Sequence, residues 1–414
     1  MKKVWIVNQY SVTPEYPAST RHYELAKYLA KRHTITLWGS NFIHHNKTYR
    51  FSKWTLIKKE VLEGFRFLWI GAISYKDNGV LRFINMFLFA ICFFVAGLFQ
   101  RERPDVLIGS SPPLFTAFSA MLLAKVRKAV FILEVRDLWP DSLIDIAGGR
   151  HKLLIRLLRW MEQVLYREAD KIIVLTEGIG DRIQQKGISQ DKLFFLANGI
   201  DIETVTLPSD PSHDRQKMRE SLGISNEDFV CMYAGAHGPA NDLVQLIYAM
   251  EMLKKEQRIK IVLMGEGIEK PKLQQITKEK GLGESVLFLS AVSKSNVHKY
   301  LNCADAFLIC LKDVPLFEGA LPNKLFDYLL HEKLIITTVR GELHNFLQRF
   351  NLGVYGNIKE TGEHYLPEVI RKLAYGRFPV SNISGKDIVS KQFSRENQAD
   401  TLAAMMEELI KNGR

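Results

Sequence analysis

Acidic residues are in short supply in this chain: 45 Asp and Glu stand against 56 Lys and Arg over 414 residues, a net charge of +11. That imbalance points to an acidic partner, either anionic lipid or substrate phosphates. An RNA-binding signature, zinc-ligand spacing and a basic tail are all missing, so nucleic acid is not an expected partner. Cysteine is scarce as well. Cys92, Cys231, Cys303 and Cys310 lie in or beside apolar runs, as expected of reduced thiols in a cytosolic protein. No internal repeat or low-complexity tract is present, and no cleavable leader is expected, since Met1 leads directly into a strand. The length is sufficient for two domains with full cores.

The densest local signal is Val314 to Leu330, VPLFEGALPNKLFDYLL. Gly319 is expected to allow close approach of backbone amides to a ligand. Leu321-Pro322 then opens a helix whose first turns carry Asn323, Lys324 and Asp327, where free N–H groups and the helix dipole favour an anion. Lys324 adds a full charge, and Asp327, three residues on and on nearly the same face, suits a ribose diol. A helix start with a solvated Lys/Asp pair accounts for this segment alone equally well. Flanking runs add weight to the site: Phe229 to Ala234 enters the glycine turn Gly235 to Asn241, and Ile261 to Met264 enters Gly265 to Gly267. With Val286 to Leu289, Ala306 to Leu311 and Leu334 to Val339 they read as buried parallel strands of a doubly wound α/β sheet, which binds ligands beyond its carboxyl edge.

The first half has the same pattern. Lys3 to Asn8 reads as a strand, Gln9 to Ser19 as a loop and Thr20 to Lys31 as a helix, with Thr20 or Ser19 as its cap. Phe65 to Ile70, Asp105 to Gly109 and Val130 to Val135 are further strands. The last ends in Arg136-Asp137-Leu138-Trp139-Pro140-Asp141, a polar cluster at a strand's carboxyl end. Arg136 either holds a phosphate there or pairs with Asp137.

Phe83 to Phe99 contains no charged residue, at the short end of the ~17–25 residues that cross a bilayer core. Its flanking strands are expected in one sheet, which favours partial insertion into one leaflet over a span. Gly149 to Arg167, where Arg150, His151, Lys152, Arg156, Arg159 and Arg167 punctuate an apolar face, reads as a basic amphipathic surface helix or as a core helix with a solvated back.

Taken in order, RHYELAKYL (Arg21 to Leu29), EVRDLWPDS (Glu134 to Ser142), YREAD (Tyr166 to Asp170), NGID (Asn198 to Asp201), YAGAHG (Tyr233 to Gly238), GEGIEK (Gly265 to Lys270) and GALPNKLFDY (Gly319 to Tyr328) resemble glycosyltransferase family 4, in the subgroup that builds bacterial surface polysaccharides. The resemblance covers nearly the whole chain. It implies the GT-B architecture of two Rossmann-like domains facing a cleft: an acceptor domain over residues 1–200, a nucleotide-sugar domain over 201–390, and a helix over 391–414 crossing back to the first. Retaining transfer from a nucleoside diphosphate sugar, UDP-linked, to a lipid-linked saccharide at the cytoplasmic face of the inner membrane is the implied activity. Residues 83–99 and 150–167 are the expected membrane contact.

By the same resemblance Lys324, Arg136 and Asp137 are catalytic candidates. Gly235, His237, Asn241, Gly265, Val292, Glu318, Gly319, Ala320, Leu321 and Asp327 bind donor, and Arg21 and Tyr10 bind acceptor. The family's Glu-x7-Glu motif is altered, with Asp327 in the second place and Gly319 in the first. Many relatives have His-Asp where this chain has Arg136-Asp137. No Asp-x-Asp follows a strand, so neither metal nor cofactor is expected. A non-hydrolysing sugar-nucleotide epimerase and an inactive binding protein of the same shape are the alternatives.

Overall fold

The computed structural model describes the chain except residues 17, 77–78, 143, 145–151, 206, 208–209, 377–383 and 413–414. It divides into two compact units, Met1–Asp201 with Ser394–Arg414, and Ile202–Phe393. Both are α/β.

In the first unit the strands are β1 (Lys3–Val7), β2 (Thr34–Ser40), β3 (Phe42–Ile43), β4 (Thr48–Tyr49), β5 (Ile57–Leu62), β6 (Phe65–Ile70), β7 (Val106–Ser111), β8 (Val130–Val135), β9 (Lys171–Val174) and β10 (Leu193–Phe195). Eight form one sheet in the order β10-β9-β8-β7-β1-β2-β6-β5, and β3 pairs with β4. All neighbours in the large sheet run parallel except β5 against β6. Strand order reverses between β1 and β7, the position at which a doubly wound sheet opens a crevice at its carboxyl edge. Successive residues of the central strands bury opposite faces: Trp5, Leu107 and Leu133 pack with the helix Val80–Leu98, while Val4, Ile108 and Ile132 pack toward the helices Arg21–Leu29 and Arg395–Asn412. The last helix therefore belongs to the core of this unit.

The second unit is a six-stranded, all-parallel sheet ordered β13-β12-β11-β14-β15-β16. Its strands are β11 (Phe229–Ala234), β12 (Ile259–Met264), β13 (Val286–Leu289), β14 (Ala306–Ile309), β15 (Leu334–Thr337) and β16 (Gly353–Tyr355). Here the order reverses between β11 and β14.

The apolar run forms a 19-residue helix, Val80–Leu98, long and apolar enough to cross a membrane. Its connected strands β6 and β7 lie in one sheet, so its two ends return to the same layer. Phe89 and Phe93 are fully buried, Phe93 edge-on to Trp38 at 5.2 Å, whereas Ile84, Phe87, Ile91 and Val95 on the opposite side are exposed. Asn85 is buried as well: its carbonyl oxygen accepts from Gln9 Nε2 and its amide donates to the carbonyl of Ile73. The basic helix spans Lys152–Glu168. Leu158, Met161 and Leu165 are buried, and Leu153, Leu157 and Trp160 are exposed beside Arg156 and Arg159. Gly149, Arg150 and His151 lie outside the described residues.

Candidate active site

In the second unit the site is built where β11 ends. Gly235 follows that strand with so little room that a Cβ there would lie 2.9 Å from Lys324 Nζ. Gly265, at the end of β12, has φ +148°, and its Cβ would meet the Gly235 carbonyl oxygen at 1.9 Å. Only glycine permits this backbone contact. The two glycine turns are also bonded together: the His237 N–H donates to the Glu266 carbonyl (2.9 Å) and the Glu269 N–H to the His237 carbonyl (3.0 Å).

Lys324 reaches the reversal point between β11 and β14. Its Nζ lies 3.9 Å from the Tyr233 ring centroid. It makes no hydrogen bond or ion pair among the described residues, and burial pushes its pKa down to about 7. A desolvated ammonium without a counter-charge is a ready receptor for an anion. His237 is fully enclosed, with neither ring nitrogen hydrogen-bonded among the described residues, and burial, then the neighbouring Lys270, pushes its pKa down to about 4. It is neutral at pH 7. Lys270 is fully engaged: its ammonium donates to the carbonyls of Gly265 (2.9 Å) and Leu289 (3.0 Å) and to the Glu266 carboxylate (2.8 Å).

The segment before Lys324 differs from expectation. Gly319 has φ −88°, open to any residue, and the Ala320 N–H closes a turn on the Phe317 carbonyl (3.1 Å) in place of facing a ligand. Leu321 is buried core, and Glu318 is exposed with its carbonyl packed against Gly341. The helix Lys324–Leu329 has six residues, and its Leu325 and Phe326 amides donate to the carbonyls of Pro322 (3.0 Å) and Asn323 (3.1 Å). Local turns thus engage the Ala320, Leu325 and Phe326 amides, and Lys324 supplies the charge at this end of the helix.

Asp327 does not share the direction of Lys324. Its Oδ1 lies 3.6 Å from His298 Nε2, while His298 Nδ1 is 3.0 Å from His331 Nε2 with the two rings stacked. Asn241 ends the short turn Pro239–Asn241, which is tied to the exit of β14 by the Lys312 N–H donating to the Ala240 carbonyl (2.9 Å). Val292 is half-buried between β13 and the helix Lys294–Leu301.

The first unit gathers a second polar set at the ends of β1, β7 and β8. Buried Glu134 accepts from Arg21 Nε (2.8 Å) on one oxygen; its other oxygen lies 2.6 Å from His22 Nε2 and accepts from Ser110 Oγ (2.7 Å). Against the upward pull of burial, His22 and Arg21 hold Glu134 well below the usual carboxylate range. Asn8 Nδ2 donates to Ser110 Oγ (2.9 Å). Arg21 also donates to the carbonyls of Leu196 (3.0 Å) and Ala197 (2.6 Å) and is 1% exposed. Its guanidinium is spent inside the protein, so the expected acceptor contact is corrected to a bracing role. Thr20 precedes that helix, but its hydroxyl donates to Glu24 and caps no amide.

Arg136 and Asp137 form no ion pair. Asp137 accepts from Ser142 Oγ (2.8 Å), with burial raising its pKa, and Arg136 Nε is buried without a partner among the described residues. Tyr10 accepts a long bond from Arg82 Nε (3.4 Å), and its N–H donates to Asn8 Oδ1 (2.7 Å). Sequence reasoning missed Tyr233, Glu134 and His22, although all three lie inside the matched motifs. Among the described residues no three His, Cys, Asp or Glu side chains gather as metal ligands would.

Two Rossmann-like units, each with polar groups at its strand-order reversal, define the GT-B class of sugar-transferring folds. Residues 18–199 match the glycosyl transferase 4-like domain and residues 214–344 match glycosyl transferases group 1: the chain belongs to glycosyltransferase family 4. Members of this family are retaining and typically metal-independent. A protein of Escherichia coli named for colanic acid biosynthesis glycosyl transfer, WcaI, is 25% identical over 261 residues, 62% of this chain and 63% of that protein. The N-acetylgalactosamine-N,N'-diacetylbacillosaminyl-diphospho-undecaprenol 4-alpha-N-acetylgalactosaminyltransferase of Campylobacter jejuni is 28% identical over 181 residues, 44% of each chain. These matches span less than two thirds of either relative. Among solved structures, Anabaena HepE in complex with UDP and glucose superposes with a TM-score of 0.71 at 15% identity, covering 98% of this chain and all of that one.

Proposed function

We propose that this chain moves a sugar from a UDP-sugar to a lipid-linked saccharide, with retained anomeric configuration, in bacterial surface polysaccharide synthesis. The observation that carries the reading is the Lys324 ammonium, desolvated and without a counter-ion among the described residues, at the β11–β14 reversal. Breaking the anomeric C–O bond leaves growing negative charge on the departing diphosphate, and a preorganised cation there lowers the barrier. Neutral His237 is a hydrogen-bond donor beside it, and Asp327 is the acceptor for the ribose diol. The acceptor hydroxyl passes its proton to the leaving phosphate oxygen, a front-face route that requires no protein nucleophile. The UDP in the Anabaena structure supports the choice of nucleotide, and the diphospho-undecaprenol in the name of the Campylobacter relative supports a lipid-linked acceptor.

The exposed apolar side of helix Val80–Leu98, with the arginines of helix Lys152–Glu168, supports a monotopic seat on the cytoplasmic face of the inner membrane. Titration of the purified protein with UDP by calorimetry tests the donor reading. Binding that weakens in Lys324→Met is expected, and no heat from wild type at millimolar UDP removes it.

A further inference from the structure

The segment between β4 and β5 carries Trp54, 80% exposed, and Leu56, 85% exposed. A tryptophan this bare is seldom left to water, and it has company: Ile57 and Val61 are exposed along β5, as are Lys58 and Lys59. The Lys53 ammonium lies over the Trp54 ring at 4.9 Å. The acid of this strand, Glu60, is taken inward by Arg50 (2.9 Å) and Trp69 Nε1 (2.6 Å), so the outward charge is positive. The patch is also laced to the apolar helix. Leu56 gives its carbonyl to the Gly71 N–H (2.8 Å), and Gly71 sits so close to Thr55 that a Cβ would lie 2.4 Å from its carbonyl. Ile73, two residues on, gives its carbonyl to Asn85 of helix Val80–Leu98, whose neighbouring Val80, Leu81 and Ile84 are exposed.

We propose that Trp54 and Leu56 form a second point of contact with an anionic bilayer, which together with the first turns of helix Val80–Leu98 fixes the orientation of this unit on the membrane. The proposal rests on the membrane reading of that helix. Tryptophan favours the headgroup level, and lysines beside it favour anionic lipid. Exposed aliphatic neighbours suit acyl chains better than they suit a sugar ring, which calls for flanking hydrogen-bond partners.

The test uses the full chain with vesicles of phosphatidylglycerol or phosphatidylcholine. The fluorescence difference between wild type and Trp54→Phe isolates the Trp54 signal. It is expected to shift to the blue on phosphatidylglycerol vesicles and to be quenched by brominated lipid. The pair Trp54→Ser/Leu56→Ser is expected to bind those vesicles at least about tenfold more weakly with unchanged UDP affinity and melting temperature. If wild type binds vesicles while the Trp54 signal stays that of water, the second contact is wrong and the helix contact stands. If wild type ignores vesicles, the membrane reading itself fails. Slower transfer to a soluble acceptor sugar by Trp54→Phe, with vesicle binding intact, would make Trp54 a sugar platform and overturn the proposal.

Discussion

Replacing Lys324 with methionine keeps the stem against Tyr233 and removes only the charge, so its effect follows from electrostatics. A unit charge about 4 Å from the ammonium, at an effective dielectric of about 20, gains ~4 kcal/mol. If the departing diphosphate gains one half to three quarters of a charge at the transition state, the lost stabilisation is about 2–3 kcal/mol, or roughly 10²-fold in kcat. Because burial sets the free pKa at about 7, about half of the free molecules carry the proton at pH 7. A bound diphosphate raises that pKa, so UDP binding takes up about half a proton at pH 7, and affinity falls as pH rises above 7. Calorimetry in two buffers of different ionisation enthalpy counts the proton, and steady-state UDP release gives kcat. A methionine variant within about threefold of wild-type kcat, or binding without proton uptake, would refute the reasoning.

Three further outcomes are expected. Asp327→Ala weakens UDP binding by about 1.5–3 kcal/mol without lowering the melting temperature, and unchanged affinity removes it from the ribose role. Glu134 contributes stability above its unfolded pKa of about 4.3, which is lost as pH falls through its depressed folded value, so wild type melts earlier below about pH 4. Glu134→Gln, which leaves buried Arg21 without its counter-charge, melts lower at pH 7 and shows less of that acid dependence. Serine at Ile84, Phe87, Ile91 and Val95 moves the protein from the membrane to the soluble fraction with UDP affinity retained, whereas serine at Phe89 and Phe93 unfolds it, as fractionation and thermal melting show.

Legibility followed locality. The run Phe229 to Ala234 was read at the residues that β11 occupies, because six apolar residues end at a glycine turn. β2, TITLWGS, went unread because Thr, Ser and Gly interrupt its apolar pattern, although the sheet buries six of its seven residues. The motif marks Lys324 as a candidate, but the lack of a counter-ion for it among the described residues is not legible there. That property depends on its burial against Tyr233, a residue 91 positions earlier in the chain. Arg21 was misjudged for the same reason: its partner Glu134 is 113 residues away in sequence. At the opposite scale, single turns onto Pro322 and Asn323 engage the Leu325 and Phe326 amides, a detail that residue types alone do not reveal. Uniform apolarity over Phe83 to Phe99 also concealed which aromatics face the core and which face outward.

The most direct measurement is incubation of the protein with a panel of nucleotide sugars and cell membranes, followed by mass and anomeric analysis of the lipid extract. One UDP-sugar should be consumed, with UDP released and a lipid-linked saccharide gaining one sugar in the donor's anomeric configuration. A donor that is epimerised without any lipid product, one left untouched, or a product of inverted configuration would contradict that outcome.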